Sequence, residues 1–226
     1  MPHLSSPDGR PGGEPVAPRS RRTAKHLVSH IGGRPRVDRY YRQFVGSTEH
    51  VDVLSLFEPT GLDDVDPGET AVATLGLAAL PTGRVSATGV PLRVELLSPG
   101  RRLRSEGAAT EDPGTLILTC TAFAAADLGR VVEPGQAYVD ALATGRVADR
   151  HTAEPDHVRH VYLTSPFGFE RVPAHVEDDI RITWLTPVAI TDAELQYLRD
   201  HGEDALEEAL DRAAVDTLDL RRGSVV

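Results

Sequence analysis

The stretch Ile182-Thr183-Trp184-Leu185-Thr186-Pro187-Val188-Ala189-Ile190-Thr191-Asp192-Ala193-Glu194-Leu195 decides the fold class, because nearly every residue in it has a local structural task. Ile180, Ile182 and Trp184 alternate with polar residues, the period of a strand over Asp179 to Leu185. Pro187 has no N–H to give to a sheet ladder, so the strand is expected to end near it. Thr191 and Glu194 have the Thr-x-x-Glu spacing of a capping box: the threonine hydroxyl accepts from the Glu194 N–H, and the glutamate reaches back to the Thr191 N–H. Ile190 and Leu195 stand at the spacing of a hydrophobic staple, and Asp192 and Glu194 lie where the positive end of a helix dipole favours acids. The helix turns Leu195 and Leu198 inward and Arg199 and Asp200 to water, and Gly202 ends it. A second helix begins near Glu203-Asp204 and shows Leu206, Ala209, Leu210 and Ala213 to the core.

Upstream, the reading is strands around one helix. His157 to Thr164 reads as a strand, preceded by a loop over 143–155. Asp112 can cap a helix with Pro113 in its first turn and Gly129 at its end; Leu116, Ile117, Cys120, Phe123 and Ala124 are expected on its buried face. Before it, Val51 to Phe57, residues 71–80 and Leu92 to Leu96 read as three strands, the second apolar on both faces as in a central strand. The short connections between them favour antiparallel pairing. Thr23 to Ile31 reads as a short helix, with Thr23 as N-cap and Gly32-Gly33 as the stop. Residues 1–22, rich in Pro, Gly, Ser and Arg, are expected to be a disordered tail; 23–220 one domain; and 221–226 a short flexible C-terminus. The fold class is therefore α+β: a mixed, mainly antiparallel sheet flanked by helices in a single domain with a C-terminal strand-to-helix unit.

Composition narrows the function classes. The 226 residues are 40% apolar and 26% charged, an ordinary globular balance. One cysteine, Cys120, allows no internal disulfide, and no window approaches 18 apolar residues, so a cytoplasmic location and no membrane span are expected. A net charge of −10 disfavours nucleic acid as the default partner. That charge is uneven: residues 1–42 hold nine basic side chains against three acidic, and residues 170–219 hold four arginines against fourteen acids. The acids of the last helices read mainly as a solvated face, with an acidic docking surface as the other reading.

No candidate chemistry survives its local test. Cys120 lies in a helical apolar run with no basic neighbour to lower its pKa, so it reads as core. His157 and His160 are three apart on a strand and point to opposite faces. His26 and His30 share a helical face at i, i+4, but no third metal ligand is close in sequence. His201 falls in a last helical turn, where it can meet free carbonyls. Ser165 lacks the Gly-x-Ser-x-Gly of a nucleophile elbow, and the glycine pairs at 12–13 and 32–33 match no phosphate loop. Glu177, Asp178 and Asp179 form an acidic run at a strand edge, where charge deters aggregation. No catalytic, metal or cofactor residue is assigned, and the contact residues for a partner are left unknown. Trp184 reads as core rather than contact.

Trp184 to Tyr197 in the pattern Trp-Leu-x-Pro-Val-x-Ile-Thr-Asp-Ala-Glu-Leu-x-Tyr, followed by His201-Gly202 and Ala205-Leu206, resembles the C-terminal signature of suppressor-of-fused-like domains of bacterial type. Val51 to Pro59 with Thr74 to Leu77, Pro91 to Leu96, and Val161 to Phe169 resemble that family's other strands in the same order, over roughly 24–215. Arg130 to Tyr138 lacks the Gly-His pair that many relatives carry there. The resemblance implies a non-catalytic protein-binding domain without cofactor, whose partner could be a toxin domain if the chain is an immunity protein of a polymorphic toxin system. Two other readings stay open on the residues alone: an enzyme with a dispersed acid and histidine site, and a nucleic-acid-associated regulator acting through the basic N-terminal tail.

Overall fold

The computed structural model describes residues 16–42, 49–61, 69–101, 112–143, 158–169, 171–177 and 179–226. Along the chain run α1 (Pro18–Ile31), β1 (Arg34–Tyr41), β2 (His50–Phe57), β3 (Glu69–Leu75), a 3-10 turn (Leu77–Ala79) and β4 (Leu92–Arg101). They are followed by α2 (Pro113–Leu128), β5 (Ala137–Tyr138), β6 (His160–Thr164), β7 (His175–Glu177), β8 (Ile180–Ile190), α3 (Asp192–His201) and α4 (Glu203–Arg212). The strands form one sheet in the order β1-β2-β3-β4-β8-β6-β5, with β7 pairing β8 beside that path. Every ladder is antiparallel except β4 with β8, so the sheet is mixed and mainly antiparallel.

Helices cover both faces. Alternate residues of the central strands divide accordingly: Val53, Val72, Leu96 and Leu185 pack with Ile117 and Leu118 of α2. Leu54, Ala71, Ala73, Leu97, Ile182 and Trp184 pack with Ala24, Leu27 and Ile31 of α1. Tyr162, Val188 and Ile190 pack beneath Leu195, Leu198, Leu206 and Leu210 of α3 and α4. The period-two alternation of strands produces this three-layer arrangement.

The capping box forms as its spacing predicts, with Thr191 N–H to Glu194 Oε2 at 2.9 Å and Glu194 N–H to Thr191 Oγ1 at 3.2 Å. Ile190 and Leu195 lie in one apolar cluster, as a staple requires. Asp112 caps α2 by accepting from Gly114 N–H at 2.9 Å, and Gly129 ends that helix at φ +70°. Gly114 also permits a close approach, since a Cβ there would lie 2.3 Å from the Pro99 carbonyl oxygen.

Several expectations are corrected. β8 does not stop at Pro187 but runs on to Ile190, with Pro187 opposite Leu163. The Leu163 N–H and C=O both bond to the β5 side, to Gln136 and Gly135, so Leu163 and Pro187 are a non-hydrogen-bonded pair. The missing N–H of Pro187 therefore faces away from β6, on the side where the β4 ladder has already ended at Leu185. α1 begins at Pro18 rather than Thr23: proline fits the first helical position, and Ser20, Thr23, Ala24, Leu27 and Ile31 make one buried stripe. Residues 16–22, expected to belong to the tail, thus join the domain, and the first fifteen lie outside the described residues. The strand over 71–80 spans Glu69–Leu75 and then tightens into the 3-10 turn. On α2 the buried face is Ile117, Leu118, Cys120, Thr121 and Ala125, while Leu116, Phe123 and Ala124 are half-buried, and Ala213 is exposed because α4 ends at Arg212. The loop over 143–155 lies, apart from Ala143, outside the described residues.

Candidate functional site

A cleft of about 430 Å³ crosses the end of the sheet, between the first turn of α1 and the C-terminal half of α2. Its walls are apolar, from Val51, Leu75, Leu77 and Ala122, and its polar side chains are Ser20, Arg39, His50 and Asp52. The β1–β2 register sets Arg39 opposite Asp52, and the two form a bidentate pair, Nε to Oδ1 at 2.7 Å and Nη2 to Oδ2 at 3.0 Å. This bond to Asp52 pushes the Arg39 guanidinium pKa above its ordinary value. Both members are committed to each other, so the cleft presents a fixed fork of charge rather than a group poised for proton transfer.

Behind the cleft, the buried Glu95 carboxylate binds the 3-10 turn. It accepts from Thr74 Oγ1 at 2.7 Å, Gly76 N at 2.7 Å, Leu77 N at 3.1 Å and Ala78 N at 3.2 Å. Burial pushes this carboxyl up to about 7, against the four donors that pull it down. Above that value the carboxylate is the form present, and each of its oxygens accepts two of the four bonds. Glu95 therefore holds the turn that lines the cleft.

At the other end of α1 the structure gathers residues that the sequence leaves apart. His26 lies 4.3 Å from His30, 4.8 Å from His175 and 5.9 Å from Trp184, centroid to centroid, stacked on the last. Its Nε2 is 2.8 Å from the Pro173 carbonyl oxygen, and Trp184 Nε1 donates to that same oxygen at 3.0 Å. Trp184 is 2% exposed, a core residue as read. Among the described residues no three histidine, cysteine or carboxylate side chains converge to hold a metal ion, this trio included.

The remaining sequence candidates have structural tasks. His160 is buried in β6, where Nδ1 accepts the Asp140 N–H at 2.9 Å, so Nε2 carries the hydrogen and donates to Asp192 Oδ1 at 2.8 Å. It ties the turn after β5 to the start of α3, and His157 lies outside the described residues. His201 reaches the Tyr197 carbonyl at 3.3 Å and stacks on the Tyr197 ring. Cys120 is buried in the α2 core, and Ser165 follows β6 without a nucleophile elbow. Glu177 accepts from Arg22 Nε at 2.8 Å and Arg19 Nε at 2.9 Å, which hold its carboxyl below the usual range, Arg22 most strongly. Asp179 lies 3.6 Å from Arg19, and Asp178 is outside the described side chains.

Sequence reasoning missed two charged pairs. Asp52 was visible as a charge inside an apolar strand, but its partner emerges only from the register with the unread strand β1. The second is Arg222 with Glu194: Nη1 to Oε1 at 2.6 Å and Nη2 to Oε2 at 2.9 Å, while the Val225 N–H adds a bond to Oε1 at 3.2 Å. The last six residues, read as a flexible end, are anchored on the capping box.

Acidic side chains dominate the outer surface of α3 and α4, where Asp200, Glu203, Asp204, Glu208 and Asp211 are exposed with Arg199 and Arg212 as the cations. No described helix is long and apolar enough to cross a membrane.

Fold and site together define a class: an α+β domain, helices on both faces of a mixed sheet, whose buried polar groups brace turns, caps and termini. Residues 47–223 match the model of the suppressor of fused protein family, and the chain belongs to that family. Among its relatives is the immunity protein YqcF of Bacillus subtilis, 26% identical over 204 residues, which span 90% of this chain and 95% of that protein. A suppressor of fused homolog from Neisseria gonorrhoeae has the same fold, at 18% identity and a TM-score of 0.54, covering 92% of this chain and 97% of that one. Suppressor of Fused from Drosophila aligns at 11% identity and a TM-score of 0.58, with 92% of this chain covering 51% of that one.

Proposed function

We propose that this chain is a non-catalytic, cytoplasmic protein-binding domain that acts as an immunity protein, neutralising a toxin by forming a complex with it. The observation that carries the reading is the end-to-end likeness to YqcF, since the alignment spans nearly all of both chains rather than a shared fragment. Two physical features support it. Arg39 and Asp52 of the cleft, Glu95 behind it, and Arg222 and Glu194 at the C-terminal cap are committed to ion pairs and backbone donors. The exposed acids of α3 and α4, within a chain of net charge −10, suit a basic partner by electrostatic complementarity, which speeds encounter and selects against acidic proteins.

Expression of each neighbouring gene product from the native genome, with and without this chain, tests the reading. Rescue of growth from one toxic neighbour is the expected result. Absence of protection against every toxic neighbour would refute the immunity role.

A further inference from the structure

The corner where α1 crosses β7 and β8 gathers basic and imidazole side chains against one buried carboxylate. α1 contains Arg19, Arg21, Arg22, Lys25, His26 and His30 and no acid. Two fastenings hold it at this corner: the Arg19 and Arg22 bonds to Glu177, and His26, wedged against the Pro173 carbonyl, His175 and the Trp184 ring.

Charge balance there is close. With the imidazoles neutral, Arg19 and Arg22 face Glu177 and Asp179, two cations against two anions. Lys25, exposed on α1, adds no anion. His175 Nε2 lies 3.3 Å from Glu177 Oε1, so that carboxylate is already shared by three cationic or potentially cationic groups. A proton on His26 therefore adds positive charge beside His30 and His175, and the Glu177 carboxylate next to His175 is already held by two arginines. The Pro173 carbonyl favours the charged ring. Burial and the two neighbouring histidines oppose it, and burial is the largest influence, holding His26 below its ordinary pKa.

We propose that α1 is a pH-sensitive latch, in which proton uptake by His26 opens the α1–β7–β8 corner. The sign follows from linkage. A histidine with a lowered pKa in the closed state takes up its proton more readily when the corner opens, so closure is strongest above 6.5 and weakens as pH falls. Leu27 and Ile31 are fully buried beneath α1, so opening stays a rare event that uncovers the sheet face around Leu54, Ala73 and Trp184. The latch does not depend on which partner the domain binds.

Amide hydrogen exchange of the full chain at pH 7.5 and 5.5, corrected for intrinsic rates, tests it. One proton per opening gives a loss of protection in α1 at Leu27 and Val28 that approaches about tenfold per pH unit, with α2 amides such as Ile117 unchanged. Trp184, the single tryptophan, reports the same transition by fluorescence. H26Q abolishes the α1 response; H30Q, at an exposed position, makes it shallower by removing a repulsive neighbour and serves alone if H26Q does not fold. Equal α1 protection at the two pH values, an equal loss in α2, or an undiminished response in these variants would overturn the proposal.

Discussion

Removal of the Arg222 side chain tests how the C-terminal helices are held. Glu194 is fully buried, and Arg222 is its only cationic partner among the described residues, with a side chain 9% exposed. R222A leaves the carboxylate with the Thr191 and Val225 N–H groups as donors and also strips the Ala189 carbonyl of its 2.8 Å bond from Nη2. Breaking a buried ion pair by deleting one partner costs about 3–5 kcal/mol, because the surviving charge stays buried without its counter-ion. That is a large part of the roughly 5–15 kcal/mol that holds a domain folded. Urea denaturation followed by far-ultraviolet circular dichroism gives the number, and truncation after Arg221 should cost as much or more. Replacement of both partners, as R222M with E194M, should cost less than R222A alone plus E194M alone, since no charge is left stranded. A loss under 1 kcal/mol for R222A would refute the anchoring and restore the picture of a free C-terminal end.

E95Q should destabilise by about 2–4 kcal/mol at pH 8, because either amide orientation turns an NH2 toward at least one buried backbone N–H of the 3-10 turn. A neutral or stabilising E95Q in denaturation curves would instead mean that burying this charge, which raises the carboxyl to about 7, costs more than its four bonds return. G114A forces a methyl to within 2.3 Å of the Pro99 oxygen and should lower stability by about 1–3 kcal/mol by calorimetry, with α2 displaced from β4. Glu177, whose carboxyl the arginines hold below its ordinary 4.5, contributes stability above that value that is lost as pH falls through the folded-state pKa. E177Q should therefore flatten the acid limb of the stability profile; an unchanged limb would contradict the ion-pair assignment.

Local physics made some of this fold legible and not the rest. The cap at Thr191, the staple of Ile190 and Leu195, and the start and stop of α2 rest on bonds between near neighbours, so spacing alone reveals them. β1 escaped because this edge strand has Arg34, Arg36 and Asp38 on one face and Arg39 among Pro35, Val37 and Tyr41 on the other, so neither face shows an unbroken apolar alternation. Pro187 misled because its exclusion from a ladder depends on which side the neighbour lies, and sequence does not carry that. The site residues follow the same rule. Arg39–Asp52, Arg222–Glu194 and the histidine corner join positions 13, 28 and about 150 apart, brought together only by register and by helix packing. The fork of α1 histidines was visible at i, i+4, but its third member came from β7.

The central claim is that this domain works by binding a protein rather than by transforming a substrate. Size-exclusion chromatography with light scattering, on the purified chain mixed with the purified toxic neighbour rendered catalytically inactive, tests it most directly. The account predicts a complex of defined stoichiometry that weakens on charge reversal at Glu203, Asp204 and Glu208. Two separate peaks at micromolar concentration, for a toxin from which this chain nonetheless protects cells, would contradict it.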